Sequence, residues 1–221
     1  MTRAAPLAGA RLAGLHVLAD DDPRWPHDPL AQARAACAAG ASVVQLRAKR
    51  ATDREALALA AEIRAATAAC GALFFVNDRF DLALAAGADG VHLGQSDLPP
   101  GAIPKALRER LLVGRSTHTF EEARAAREEG VDYVAFGPVF ATASKATPHA
   151  PRGLARLREV AGLVAPLPLV AIGGIDAGNA AAAIAAGAAG AAVISAVAGA
   201  RDPEAAAREL VGALRAAADA R

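Results

Sequence analysis

Two aspartates, Asp78 and Asp97, each follow a short apolar run that ends abruptly in polar residues. The runs are Phe74-Phe75-Val76-Asn77-Asp78-Arg79 and Gly90-Val91-His92-Leu93-Gly94-Gln95-Ser96-Asp97. Between them, residues 80–86 are rich in Ala and Leu and are closed by Gly87, which predicts a short helix with its C-cap glycine. Strand, helix, strand then places Asp78 at the carboxyl end of one strand and Asp97 just past the end of the next. In parallel α/β architecture such ends converge on one face. A hard cation such as Mg2+ takes one or two carboxylates plus substrate phosphate oxygens, and this pair suits it. The alternative roles are a helix cap for Asp78 and a solvated loop acid for Asp97.

Other strand ends carry polar groups of complementary kind. In Gln45-Leu46-Arg47-Ala48-Lys49 the strand period of two puts Gln45, Arg47 and Lys49 on one face, an amide beside two cations. Gln45 stands on an otherwise apolar strand, where its amide needs partners. A further run ends in Gly114-Arg115-Ser116-Thr117-His118. Gly137-Pro138 is followed by residues 139–152, which lack helical periodicity and hold Thr142, Ser144 and Lys145. A loop of that length reads as a lid or binding loop, although Lys145 taken alone reads as a surface lysine. His92, His118 and His149 have no metal-ligand spacing among themselves and are assigned no chemical role.

Near the C-terminus, Ile172-Gly173-Gly174 and Val193-Ile194-Ser195 end two more strands. Gly174 would let backbone N–H groups approach a phosphate unobstructed, and loops of this place in a barrel commonly hold one. The inventory suggests two anions, one near the carboxylates and cations, the other near the glycines. No Ser or Cys is paired with a base, and no lysine ends a strand in Schiff-base fashion. The chemistry expected is displacement of a metal-bound phosphate or diphosphate by a second phosphorylated substrate.

These groups must be positioned by a repeated unit. Ala39-Gly40-Ala41, Ala86-Gly87-Ala88, Glu129-Gly130-Val131 and Ala186-Gly187-Ala188 each join an Ala-rich helical stretch to a short apolar strand. Strands are expected at 15–20, 43–47, 74–78, 91–94, 112–116, 133–138, 169–173 and 191–195. Helices are expected at 29–39, 53–69, 80–86, 104–110, 120–129, 154–163, 179–186 and 203–218. Such alternation predicts an α/β fold, a (β/α)8 TIM barrel forming a single domain over residues 1–221, with a doubly wound open sheet as the runner-up.

With 221 residues, 54% hydrophobic and 21% charged, the chain is of ordinary globular composition, and a net charge of +1 provides no field for nucleic acid or a membrane surface. Two cysteines without metal-ligand spacing imply a reducing compartment and no disulfide framework, so a cytoplasmic location is expected. No uncharged stretch is long enough to span a bilayer, apart from Ala-rich runs broken by glycine.

Taken in order, Gln45-Leu46-Arg47-Ala48-Lys49, Asn77-Asp78-Arg79, residues 91–97, Gly114-Arg115-Ser116-Thr117-His118, residues 137–145, Ala171-Ile172-Gly173-Gly174-Ile175 and Ile194-Ser195 resemble the thiamine phosphate synthase family. The resemblance runs from about Leu15 to Leu210. It implies a (β/α)8 barrel that condenses hydroxymethylpyrimidine diphosphate with thiazole phosphate, releasing diphosphate, with Mg2+ as cofactor. By resemblance, Gln45, Arg47, Lys49, Asn77, Ser116 and Lys145 hold the pyrimidine diphosphate, with Arg47, Lys49, Ser116 and Lys145 taken as catalytic. Asp78 and Asp97 hold Mg2+, and Thr142, Ser144, Gly174, Ile194 and Ser195 hold the thiazole phosphate. Ser144 stands where the family often has Thr. Ala146 follows Lys145, where the family commonly has an acid. The alternatives on the same barrel are a thiazole tautomerase, working without metal or pyrimidine, and a non-catalytic regulatory paralogue. Small-molecule substrates are the expected partners, with a homodimer among the assemblies allowed.

Overall fold

The computed structural model describes residues 11–144 and 149–221. Its strands are β1 (Gly14–Asp20), β2 (Val43–Arg47), β3 (Leu73–Asn77), β4 (Gly90–Leu93), β5 (Leu112–Thr117), β6 (Tyr133–Phe136), β7 (Leu169–Ile172) and β8 (Gly190–Val193). All pair in parallel in chain order, and β8 returns to β1 with Gly14 opposite Gly190 and Val17 opposite Val193. That last ladder excludes the open sheet: the fold is a closed (β/α)8 barrel. The helices are α1 (Pro29–Ala39), α2 (Asp53–Cys70), α3 (Phe80–Ala85), α4 (Lys105–Arg108), α5 (Phe120–Glu128), α6 (Gly153–Val164), α7 (Ala180–Ala185), α8 (Ser195–Ala198) and α9 (Pro203–Asp219).

Local chemistry sets the helix limits. Asp28, Thr119 and Asp202 accept backbone N–H groups at the starts of α1, α5 and α9, and Thr52 forms a reciprocal capping box with Glu55 ahead of α2. Gly40 and Gly71 end α1 and α2 in the left-handed conformation, at φ 83° and 80°. Among the described residues, no helix is long and apolar enough to cross a membrane.

Strand alternation divides the core in two. Val17, Val44, Phe74, Val76, Val91, Val113 and Val134 pack outward among the helix faces. Leu18, Val43, Phe75, Tyr133, Val170 and Ala192 fill the interior above Leu12. Fully burying a side chain such as Phe74 stabilises by roughly 1.5–3 kcal/mol. The interior is filled by exchange between neighbours. A Cβ on Gly90 would lie 2.4 Å from the Phe75 ring, and one on Gly114 would lie 2.2 Å from the Tyr133 ring. Strands β4 and β5 thus give up a side chain so that an aromatic ring from β3 or β6 can occupy the space. The Tyr133 ring in turn meets His16 edge-on at 5.5 Å and stacks against His92 at 5.5 Å. Burial holds His16 down at about 4, so this interior histidine is neutral at neutral pH.

Several element ends differ from the expected ones. Strand β3 stops at Asn77, because Asp78 turns into the left-handed region at φ 66°. Strand β6 ends at Phe136, short of Gly137-Pro138, where proline cannot donate to a ladder. Strand β8 ends at Val193, the last residue paired to β1, and Ser195 opens α8 instead of ending the strand. The helix expected at 104–110 shrinks to α4 behind a 3-10 turn at Pro100–Ala102, in a stretch carrying Pro99, Pro100 and Pro104.

Candidate active site

The carboxyl ends of the strands bound one cavity, with Gln45, Asn77, Asp78 and Ser116 toward one side and Thr142, Ser144, Gly174 and Ser195 toward the other. Leu18, Ile172, Ala192 and Val193 give it an apolar lining between them.

The first side is acidic. Asp78 has φ 66°, a region that Asp and Asn visit more readily than other side chains, and its N–H donates to the His92 carbonyl at 2.7 Å. That bond ties the end of β3 to β4. The Asp78 carboxylate accepts from Asn77 Nδ2 on one oxygen and from Lys49 Nζ on the other. Asp97 accepts the Gly94 N–H at 2.6 Å, while buried Arg115 holds the Gly94 carbonyl at 2.8 Å. Burial first, and then the hydrogen-bonding approach of the Asp78 carboxylate, hold the Asp97 carboxyl above the usual range; Lys49 acts in the opposite sense. Asp97 is thus near enough to Asp78 for one carboxyl to act on the other. Among the described residues, no group of three or more His, Cys, Asp or Glu is placed to hold a metal ion. A cation bound here would complete its shell with water or ligand oxygens, which is the habit of Mg2+.

Lys49 and Arg47 are less free than expected for anion-binding cations. Arg47 Nη1 donates to Asp20 Oδ1 at 2.8 Å, and Asp20 is 1% exposed. Among the described residues, Arg47 Nε and Gln45 Oε1 are buried without a hydrogen-bond partner. Gln45 lines the cavity at 2% exposure, so its bare acceptor awaits a donor there. The base of Lys49 is fixed by Asp21, whose carboxylate accepts the N–H groups of Lys49, Arg50 and Ala51 at 2.9, 2.7 and 2.9 Å. Ser116 Oγ lies 2.8 Å from His92 Nε2, and His92 Nδ1 lies 2.7 Å from the Tyr133 hydroxyl. Burial pushes the Tyr133 phenol up, so it remains protonated. The His92 ring thus links Ser116 to Tyr133, and the expectation that no serine is paired with a base does not hold at Ser116.

The opposite side is made of hydroxyls and backbone. Ser144 Oγ bridges to Ser195 Oγ at 2.6 Å, and the Ser144 N–H donates to Thr142 Oγ1 at 3.3 Å. Phe140 N–H donates to the Gly173 carbonyl at 3.0 Å, so the loop after β6 rides on the end of β7. Gly174 has φ 65°, and a Cβ there would lie 2.4 Å from the Ala141 carbonyl oxygen. The close approach of two backbones demands glycine. Asn179 Nδ2 holds the Gly174 carbonyl at 2.8 Å. Ile194 lines the cavity beside Ser195. Lys145 lies outside the described residues, as do 146–148 of the expected lid.

Sequence reasoning passed over Asp20, His92 with Tyr133, and Arg24. Asp20 carried the same signal as Gln45, a polar residue ending an apolar strand. His92 carried an inward position between Val91 and Leu93. Arg24 carried none, because its partners stand 119 and 120 residues away.

Comparison with known proteins follows the same lines. A family model described as thiamine monophosphate synthase matches residues 15–197. A thiamine-phosphate synthase of Anaeromyxobacter dehalogenans is 53% identical over 212 residues, covering 96% of this chain and 92% of that protein. One of Methanoculleus marisnigri is 53% identical over 185 residues, covering 84% and 87%. The solved structure of a thiamine phosphate pyrophosphorylase from Pyrococcus furiosus superposes with a TM-score of 0.84 at 37% identity, covering 96% of this chain and 98% of the other.

Proposed function

The chain belongs to the thiamine monophosphate synthase family, and from that membership we propose the chemistry its residues perform. It is a transferase of thiamine biosynthesis. It joins 4-amino-2-methyl-5-hydroxymethylpyrimidine diphosphate to thiazole phosphate, giving thiamine phosphate and diphosphate. The observation that carries the assignment of roles is one cavity lined both by Asp78 with Gln45, Asn77 and Ser116 and by the hydroxyls of Thr142, Ser144 and Ser195, with apolar residues among them.

At the acidic end Gln45 Oε1 accepts from the exocyclic amino group of the pyrimidine, the donor its bare oxygen lacks. Arg47, Lys49, Asn77, Ser116 and Lys145 bind the diphosphate. Asp78 and Asp97 fit a divalent cation, because two facing carboxylates with Lys49 as their near counter-charge leave negative charge to be neutralised. Mg2+, when bound there, supplies neutralisation of charge on the departing diphosphate oxygens. Thr142, Ser144, Gly174, Ile194 and Ser195 hold the thiazole phosphate and so aim its ring nitrogen at the pyrimidine methylene carbon.

As the methylene C–O bond breaks, its electron pair leaves with diphosphate, and the amino-substituted ring tolerates the cationic character left on carbon. The displacement is dissociative. The thiazole nitrogen then closes the C–N bond with its own lone pair. No proton has to be removed from the thiazole nitrogen, so the Ser116–His92 pair need not act as nucleophile and base. Donors fixed before reaction stabilise the departing charge without reorganising. The comparisons lend no support to a thiazole tautomerase or a regulatory paralogue, and Pro138, which ends the sixth strand region, has no titratable group. The reading includes a cytoplasmic location, in keeping with a sequence that holds only two cysteines.

The test is diphosphate release from the purified protein with each substrate alone and with both, with Mg2+ and with chelator. Release that needs both substrates and the cation is expected. Thiazole isomerisation without metal or pyrimidine would reverse the assignment, and metal-independent turnover would remove the Mg2+ proposal.

A further inference from the structure

The loop bearing Thr142 and Ser144 is held from across the barrel mouth. Arg24, in the loop after β1, directs Nη1 to the Ala143 carbonyl at 3.1 Å and Nη2 to the Ser144 carbonyl at 3.4 Å. The guanidinium is itself aimed. Its Nη2 donates to Asp22 Oδ2 at 2.8 Å, and the Arg24 N–H donates to Asp22 Oδ1 at 3.0 Å. It lies 5.0 Å from the centroid of the Trp25 ring. Trp25 Nε1 donates to the buried carboxylate of Asp20 at 3.0 Å, the same carboxylate that holds Arg47. The β1 loop is thus anchored in the barrel wall before it reaches the β6 loop.

We propose that Arg24 is a positioning residue for the thiazole phosphate: by fixing two consecutive carbonyls it sets the turn that presents Ser144 to Ser195. The inference rests on the activity proposed above and adds to it a residue outside the phosphate-contacting set. Residues 139–144 form no helix or strand, so their order comes from such ties. Each residue left free would lose backbone entropy on ordering. A loop fixed beforehand binds its ligand without that loss. Arginine suits the task because its planar fork reaches Asp22 and two carbonyls together, which a lysine ammonium on a flexible stem cannot.

The variants Arg24→Ala and Arg24→Lys test this through steady-state kinetics with each substrate varied in turn, and through amide hydrogen exchange of a peptide covering residues 139–144. For Arg24→Ala the KM for thiazole phosphate should rise about tenfold, the loss expected for a charged group's hydrogen bonds at a partly exposed site. The KM for pyrimidine diphosphate and kcat should stay within about twofold, and loop exchange should accelerate. Arg24→Lys should restore only part of the difference. An unchanged KM for thiazole phosphate, an equal rise in both Michaelis constants, or wild-type exchange in the loop would each overturn the proposal. Should wild type itself form no product from both substrates, the proposed activity fails, and the exchange measurement still decides the role of Arg24.

Discussion

The two ends of the cavity are built on opposite principles. Around Asp78, charges crowd together: Lys49 on one oxygen and Asp97 nearby, with Arg47 of β2 committed to Asp20 of β1. Around Ser195, the groups that meet are hydroxyls and the backbone of Gly173 and Gly174. The first end works by electrostatics and depends on which atoms carry charge. The second works by shape and depends on where the backbone runs. Lesions should therefore differ in kind. Neutralising Asp78 or Asp97 should disable the acidic end with little effect on the fold, whereas adding volume should disable the hydroxyl end and loosen the fold together.

The largest effect should come from Asp78→Asn or Asp97→Asn. Turnover should fall at least about a hundredfold in either, the scale of losing a preorganised charge contact. Asn tolerates the φ 66° of Asp78, so thermal unfolding should stay within a few degrees of wild type. Retained activity with retained cation dependence in both would break the contrast at its charged end. Gly174→Val ranks next. A branched residue in the left-handed region costs at least about 1–2 kcal/mol, and its Cβ would also press on the Ala141 carbonyl oxygen, 2.4 Å away. Affinity for thiazole phosphate should drop about tenfold or more and Tm by several degrees, with pyrimidine diphosphate affected far less. Equal changes in both Michaelis constants would mean that one phosphate cup serves both ligands.

Ser144→Ala should be milder. It removes the link to Ser195 and should raise the KM for thiazole phosphate by about three- to tenfold, since one hydrogen bond contributes about 1 kcal/mol. The smallest expected effect is a coupling, and it sharpens the comparison most. Combining Ser116→Ala with Ser144→Ala should multiply the individual losses in kcat/KM to within about twofold, as separate sites do. A departure of tenfold would show that the two ends respond as a unit.

Most of this arrangement was legible because strand ends are punctuated. Gln45, Asn77, Asp78, Ser116, Gly174 and Ser195 each stand where a β-branched or apolar run stops, and the ladder brings those stops to one rim. The helix–glycine–strand joints at Gly40, Gly87, Gly130 and Gly187 likewise fixed the repeat that closes. Hidden from sequence were interactions between elements. That Arg47 would face Asp20 depends on the β1–β2 register, which sets Asp20 opposite Arg47. That Arg24 would reach Ala143 depends on loops that only closure of the barrel brings together. Boundaries slipped where an apolar run outlasts its ladder, as at Ser195, or where prolines crowd, as before Lys105.

Asp20 has a bearing on how variants of this enzyme will be read in living cells. Its carboxylate is buried and shared between Arg47 and Trp25. Removing one partner of a buried ion pair strands the other and typically costs about 3–5 kcal/mol, a large part of the roughly 5–15 kcal/mol by which domains are stable. A growth-rescue screen would thus score Arg47→Ala and Asp78→Asn alike, as auxotrophs. The two failures have different origins, since cells carrying the first would hold less folded protein and cells carrying the second would accumulate an intact but idle one. Only abundance measured beside growth would tell a lost fold from a lost reaction, and without it Arg47 would be credited with chemistry that belongs in part to the architecture under it.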